Sequence, residues 1–319
     1  MSARTAAWSI QIRTWGILMK HLRFLLALLA IGGSLATARA QQPPAKPPPD
    51  AKPVAQPPAT KATPPVSECP PAACLPTHPL DGRIIVFVAN GAGGGTSLSD
   101  NLQDIVQEQR APLVILTVNW SQTGAVHSDH LDQPAHTVAA GRMAMRAQCV
   151  RMQCPHSPIV FLGYSSGTQV ATSAAEIMPP GGVDRVILLA SSMSAVYDMR
   201  AALRGSCGGI DSFYSMNDQV LELAEVNLGT TDGLKAPCAG RVGFRDPAGC
   251  GPCGDYWNLR QYRWRPEFGG EGTHVYWATR KFVGGCLVPM LSSVSCAAAP
   301  VVAASPHTAE PPLSGKNKK

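Results

Sequence analysis

Ile159-Val160-Phe161-Leu162-Gly163-Tyr164-Ser165-Ser166-Gly167-Thr168-Gln169-Val170-Ala171-Thr172-Ser173-Ala174-Ala175-Glu176 is the stretch from which the rest of the chain is read. Four apolar residues form a buried strand. A serine flanked by glycines follows, and then a run of helical length and composition. G-x-S-x-G occurs often by chance, but here it stands in the strand–turn–helix setting that gives it chemical meaning. A sharp turn holds Ser165 in a strained conformation, and any larger side chain at 163 or 167 would collide with a neighbouring strand or helix. The turn presents the Ser165 hydroxyl at a helix N-terminus and leaves the Ser166 N–H free to bind an oxyanion.

Outward from this turn, other apolar runs repeat the pattern. Arg83–Ala89, Leu113–Val118, Ile159–Leu162 and Val183–Ala190 lack polar alternation, as strands buried on both faces do. Helix-length stretches lie between or after them, at Ser97–Arg110, Ala135–Cys149, Ser166–Met178 and Ser194–Leu203. The sequence predicts an α/β fold, a mostly parallel central sheet with helices on both faces. A second glycine-rich turn, Asn90-Gly91-Ala92-Gly93-Gly94-Gly95, ends the first strand. It fails the dinucleotide fingerprint: Thr96 holds the last glycine position, and the next strand ends at Asn119 rather than at an acid for a ribose hydroxyl. Such a loop can instead turn backbone N–H groups toward a developing negative charge.

With these two turns the chain resembles the α/β-hydrolase superfamily, its serine esterase/lipase-like members, over about residues 81–290. The resemblance implies that fold and a triad in chain order Ser, acid, His. His127, His130 and His136 precede Ser165 and are in the wrong order. His274, in Gly269-Gly-Glu-Gly-Thr-His274, is the only histidine between Ser165 and the C-terminal tail; it lies between the strand-like 258–264 and the helical 275–283. For the acid, Asp218 just past the strand-like 210–215 is favoured. Asp198, which follows the preceding strand, is the alternative, and Asp255 is a third candidate. The catalytic set is therefore Ser165, Asp218 and His274, with an oxyanion hole from the N–H groups of Ser166 and of Gly91 or Ala92. Esterases of this type often have His-Gly at the oxyanion loop, where this chain has Asn90-Gly91.

The ends of the chain read differently. Residues 1–40 are a signal peptide: Met19-Lys20-His21-Leu22-Arg23 is a basic start, an apolar stretch runs from Phe24 to Leu35, and Ala38-Arg39-Ala40 has a small-x-small cleavage pattern. Residues 41–80 hold 14 of the 29 prolines and form a disordered polyproline spacer. Residues 81–296 are the hydrolase domain, and 297–319 a disordered tail. The protein is read as secreted or periplasmic, with tethering to envelope or membrane through residues 1–80. The net charge of +6 gives no case for nucleic acid, because residues 1–40 carry five basic residues and no acid, which leaves 22 basic against 21 acidic.

All ten cysteines follow Ala40, an even number, as a disulfide framework in an oxidising compartment requires. Cys250-Gly-Pro-Cys253 has thiol-oxidoreductase spacing, but loop on both sides favours a staple. The His/Asp cluster from His127 to His136 matches no zinc pattern, and no metal or cofactor is expected. The arginines and aromatics of Asn258–Arg265 read as an edge strand with a basic exposed face. The function these residues point to is an exported serine hydrolase acting on a small-molecule or lipid-like ester. The alternatives are a catalytically inactive hydrolase-fold binding protein of the envelope and a thiol oxidoreductase using Cys250 and Cys253.

Overall fold

Apolar strands without polar alternation need cover on both faces, and the fold supplies it. The structure, a computed structural model, describes residues 82–246 and 254–294. The signal, spacer and tail readings, and the Cys250/Cys253 pair, lie outside the described residues.

Six strands form one sheet: β1 (Ile84–Ala89), β2 (Leu113–Thr117), β3 (Ile159–Tyr164), β4 (Arg185–Leu189), β5 (Ile210–Tyr214) and β6 (Leu259–Arg263). Their order is β2-β1-β3-β4-β5-β6 and every pair is parallel. With helices on both faces, this is an α/β fold. The order reverses once: the chain steps from β1 to β2 and returns past β1 to β3, so the loops leaving β1 and β3 open side by side at the carboxyl edge. Open α/β sheets place their chemistry at such switch points.

Strand side chains alternate between two cores. Ile85, Phe87, Ile159 and Phe161 meet helices α3 (Gln133–Gln153) and α4 (Gly167–Ile177) on one face. The rings of Phe87 and Phe161 meet edge to face, with centroids 5.8 Å apart. Val86, Val88, Val160 and Leu162 face α1 (Ser97–Gln109) and the C-terminal segment on the other. Alanines at 171, 174 and 175 of α4 and at 139, 140, 144 and 147 of α3 are buried, so these two helices approach closely over the site-bearing strand.

The remaining helices are short: α2 (Val126–Leu131), α5 (Arg200–Gly205), α6 (Gln219–Asn227) and α7 (Ala239–Val242). The helix expected at Ser194–Leu203 is therefore reduced to its second half. Ser194 explains this, because both its N–H and its hydroxyl donate to Asp232, at 2.8 and 2.6 Å, which ties the chain into a buried turn. The helical stretch expected at 275–283 is also broken up. It runs as a 3₁₀ turn (His274–Ala278), α8 (Arg280–Phe282), a π turn (Val283–Leu287) and α9 (Val288–Ser292).

Two further expectations are corrected. Cys149 and Cys207 are disulfide-bonded, but Cys238 and Cys286 hold free thiols; Cys238 is buried with its thiol on the Ser192 carbonyl, at 3.7 Å. Among the described residues, the even cysteine count is thus not matched by pairing at every cysteine. β6 is an edge strand, as read, but its Arg260 does not simply face water. Arg260 Nε donates to Asp211 at 2.7 Å, and Arg185 Nε reaches the other oxygen of the same carboxylate at 2.5 Å.

Asp211 is fully buried in β5 and ties β4 to β6 across it. Removing one partner of such a network leaves uncompensated charge behind. Asp211→Ala should therefore lower stability by about 3 kcal/mol, read as an earlier urea midpoint with an unchanged slope.

Candidate active site

Three loops at the carboxyl edge of the sheet bring Ser165, Asp218 and His274 together. Ser165 sits between β3 and α4 with φ +53°, a left-handed conformation that side-chain-bearing residues rarely adopt. The strain is held from several sides. The Ser165 N–H donates to the Leu189 carbonyl of β4 at 2.9 Å. Its carbonyl accepts from the Thr168 hydroxyl at 2.6 Å, and that hydroxyl lies 2.9 Å from Ser191 Oγ. The flanking glycines have the role read from the sequence. A Cβ at Gly163 would lie 2.6 Å from the Thr168 Cα of α4, and one at Gly167 would overlap the carbonyls of Ala89 and Asn90 at the end of β1.

Asp218 follows β5 as the N-cap of α6, where one carboxylate oxygen accepts from the Leu221 N–H at 2.9 Å. Its other oxygen lies 2.7 Å from His274 Nδ1. His274 Nε2 lies 3.0 Å from Ser165 Oγ. An ionised carboxylate only accepts, so Nδ1 carries the proton and Nε2 is left to accept from the serine hydroxyl. Asp218 is fully buried, His274 is 4% exposed and Ser165 7%. The line of bonds is shielded, yet its serine end still meets solvent.

The histidine loop is fixed independently of the carboxylate. The Tyr164 hydroxyl donates to the His274 carbonyl at 3.2 Å, and the two rings lie 5.2 Å apart. Burial, with Asp218 nearby, pushes the Tyr164 phenol far above its ordinary pKa and keeps it a neutral donor. Asn217 Nδ2 donates to the Glu271 carbonyl at 2.9 Å and joins the acid loop to the glycine-rich stretch before His274.

Asp198, the alternative acid, is elsewhere. Its carboxylate is gripped by Arg200, with Nη2 at 2.6 Å, and touched by the Tyr256 hydroxyl. The arginine holds its pKa below the usual carboxylate range. Of Asp255 only the backbone belongs to the described structure, within the 3₁₀ turn Gly254–Asn258.

The oxyanion candidates stand beside the serine. A Cβ at Gly91 would lie 3.2 Å from Ser165 Cβ. The loop is pinned before and after that point: Trp120 Nε1 donates to the Asn90 carbonyl at 2.7 Å, and the Gly93 N–H donates to Asp129 at 2.9 Å. Asp129 also accepts from the Thr123 hydroxyl at 2.9 Å and from Ser121. It thus anchors the loops around the site. Among the described residues, no group of three His, Cys, Asp or Glu side chains could hold a metal ion.

Sequence reading placed the histidines at 127, 130 and 136 in one cluster and went no further. His136 is buried with its ring against Trp120 at 4.7 Å, and burial lowers its pKa to about 4. His130 is buried against Ser166, a contact no local pattern could reveal, since 36 residues separate the two.

The cutinase family model matches residues 83–194 of this chain, which run from β1 past Ser165 to the turn after β4. No curated protein matches by sequence. Among solved structures, the chain is similar to Aspergillus fumigatus lipase B at 15% identity and a TM-score of 0.40, covering 66% of this chain and 53% of that one. The chain thus spans about half the length of that lipase. A cutinase-like protein from a Cryptococcus species matches at 12% identity and a TM-score of 0.35, over 68% of this chain and 98% of that one. Trichoderma reesei cutinase in complex with a phosphonate inhibitor matches at 16% identity and a TM-score of 0.32, over 67% and 78%.

The left-handed backbone at position 165 supplies a test of how the site is held. Ser165→Gly and Ser165→Ala lose the same hydroxyl, but only alanine keeps the strain. The glycine variant should be the more stable of the two by about 1 kcal/mol in denaturant unfolding.

Proposed function

We infer that this chain, an α/β-hydrolase with a serine-esterase constellation, hydrolyses carboxylic esters through Ser165, His274 and Asp218. The observation that carries the reading is the unbroken line Ser165 Oγ–His274 Nε2 at 3.0 Å and His274 Nδ1–Asp218 at 2.7 Å. It starts from a serine held in a left-handed turn at the head of a helix. The cutinase match over residues 83–194 supports an ester as the substrate class.

The steps follow from the geometry. Ser165 Oγ attacks the ester carbonyl carbon while His274 Nε2 takes the hydroxyl proton. Asp218 accepts from Nδ1–H throughout, fixing the tautomer and stabilising the imidazolium. The carbonyl oxygen, now negative, lies toward the N–H groups of Ser166 and of Gly91 or Ala92. None of these three N–H groups has a protein acceptor among the described residues. The C–O bond breaks, the alcohol leaves with the proton from His274, and the acyl group stays on Ser165. Water then attacks the acyl-enzyme with His274 as base, and the acid leaves. No cofactor or metal enters.

In this reading residues 1–40 direct export. The domain at 81–296 carries the chemistry, and 297–319 is a tail. The protein acts outside the cytoplasm, on a small or lipid-like ester.

Labelling of the chain from Gln41 with a fluorophosphonate, beside p-nitrophenyl butyrate hydrolysis, tests this directly. Ser165→Ala should neither label nor turn over. Asp218→Asn should lower kcat by about 10⁴ by favouring the wrong imidazole tautomer, whereas Asp198→Asn should leave it within twofold. Correctly folded wild-type protein that fails to label would leave the inactive, binding-protein alternative standing.

A further inference from the structure

His130 lies in α2, and nothing in the proposed steps uses it. It is nevertheless 4% exposed and makes two bonds. Its Nε2 lies 2.9 Å from the Gly229 carbonyl, and its Nδ1 lies 3.1 Å from Ser166 Oγ. A carbonyl only accepts, so Nε2 carries the proton. Nδ1 of the neutral ring must then accept, and the Ser166 hydroxyl donates to it. Burial lowers the pKa of His130, against the raising effect of the Gly229 bond, and His127 and His274 lower it further while Asp232 opposes them. The neutral ring that this bond pattern needs is therefore the stable one.

Ser166 is the residue whose backbone N–H faces the developing oxyanion in the reading above. Its side chain is 1% exposed. A buried hydroxyl without a partner would seek a backbone acceptor in the first turn of α4 and rotate the peptide plane. The His130 bond removes that competition. His130 in turn is held by Gly229, at the start of a segment fastened over the site: the Thr231 N–H donates to the Ser192 carbonyl at 3.1 Å, and Asp232 accepts from Ser194. Ser192 Oγ is itself 3.4 Å from Ser165 Oγ.

We propose that His130 is a positioning residue for ester hydrolysis: a neutral strut from the Gly229 carbonyl to the Ser166 hydroxyl that fixes the Ser166 N–H toward the oxyanion. The inference rests on the serine-hydrolase reading. It assigns a role to a histidine that precedes the serine in sequence and touches no reacting atom.

The two ring nitrogens can be tested apart. In His130→Asn, the amide oxygen stands near Nδ1 and keeps an acceptor for Ser166. In His130→Gln, the amide nitrogen stands near Nε2 and keeps the bond to Gly229 while leaving Ser166 without a partner. Complete loss of an oxyanion donor costs about 10²–10³ in kcat, so misalignment should cost about tenfold. On p-nitrophenyl butyrate, His130→Gln and Ser166→Ala should each lose about tenfold in kcat with KM within twofold. Their double variant should be no worse than either single one, and His130→Asn should stay within threefold of wild type. Nitrogen NMR shifts of His130 should show Nε2 protonated and Nδ1 bare, with Nδ1 moving in Ser166→Ala.

Losses that add in the double variant, a change confined to KM, or His130→Asn and His130→Gln equally impaired would each overturn the strut while leaving the triad intact. Wild-type protein that neither labels with fluorophosphonate nor turns over would overturn the hydrolase reading, and the strut with it.

Discussion

The site depends on one close approach of backbone to backbone. The first residue of α4, Gly167, lies so near the carbonyls of Ala89 and Asn90 that no Cβ fits between them. β1 and β3 are adjacent and in register, with Ala89 beside Gly163. Their two exits are therefore pressed together. That contact sets the angle at which α4 leaves β3, and hence the left-handed turn at Ser165. It also brings the Asn90–Gly91 segment beside the serine. Ser165 and the Asn90–Gly91 segment are thus positioned by the same few atoms. Without the reversal of strand order between β1 and β3, these loops would not be neighbours.

The other two members of the constellation are positioned by the sheet rather than by contact with that turn. Ser165, Asp218 and His274 follow β3, β5 and β6, and the intervening β4 contributes the Leu189 carbonyl that holds the Ser165 N–H. The separations are fixed by strand spacing, which is nearly invariant in a parallel sheet. Small shifts in loop sequence need only be corrected locally. Two bonds do this, Tyr164 to the His274 carbonyl and Asn217 to the Glu271 carbonyl. The buried Asp211 network lies on the same strands, tying β4, β5 and β6 by charge as well as by the ladder.

Much of this was legible in the sequence because its causes are local. Apolar runs without alternation give strands buried on both faces, and all six strand segments appear within a residue or two of where they were read. G-x-S-x-G is legible as a pattern, and Gly163 answers a steric condition within its own turn, whereas Gly167 answers one set by Ala89 and Asn90 at the end of β1. Asp198 and Asp218 both satisfy the chain order; Asp218 is favoured by its place just past a strand-like run, and the structure shows Arg200 occupying Asp198. What was not legible depends on partners far along the chain. The helix expected at Ser194 was cut short by Asp232, 38 residues on, and Arg260 was read as solvated although its partner Asp211 lies 49 residues back. The tie from His130 to Gly229 spans 99 residues. Propensity carries no record of such pairings.

Asn90 in place of the histidine common at this loop is better understood as a solution than as a departure. Helix α1 begins at Ser97, and its N-cap, Thr96, makes no side-chain cap bond; the Thr96 hydroxyl goes to Asp100 instead, at 2.7 Å. The Ser99 N–H in the first turn would then lack an acceptor. Asn90 supplies it: its Oδ1 accepts from that N–H at 3.2 Å, and its Nδ2 donates to the Ser99 hydroxyl at 3.0 Å. An amide has an acceptor and a donor side by side, as this pairing requires, whereas a neutral imidazole places them on opposite sides of a ring. Asn90 therefore fastens the start of α1 to the loop, while its own carbonyl is held by Trp120. With side chain and carbonyl both engaged, the peptide planes that follow have little freedom. In the proposed hydrolysis, rigid N–H groups beside Ser165 are the property that matters for stabilising an oxyanion, and a helix cap and an indole hold this loop where a histidine does in the resembled esterases.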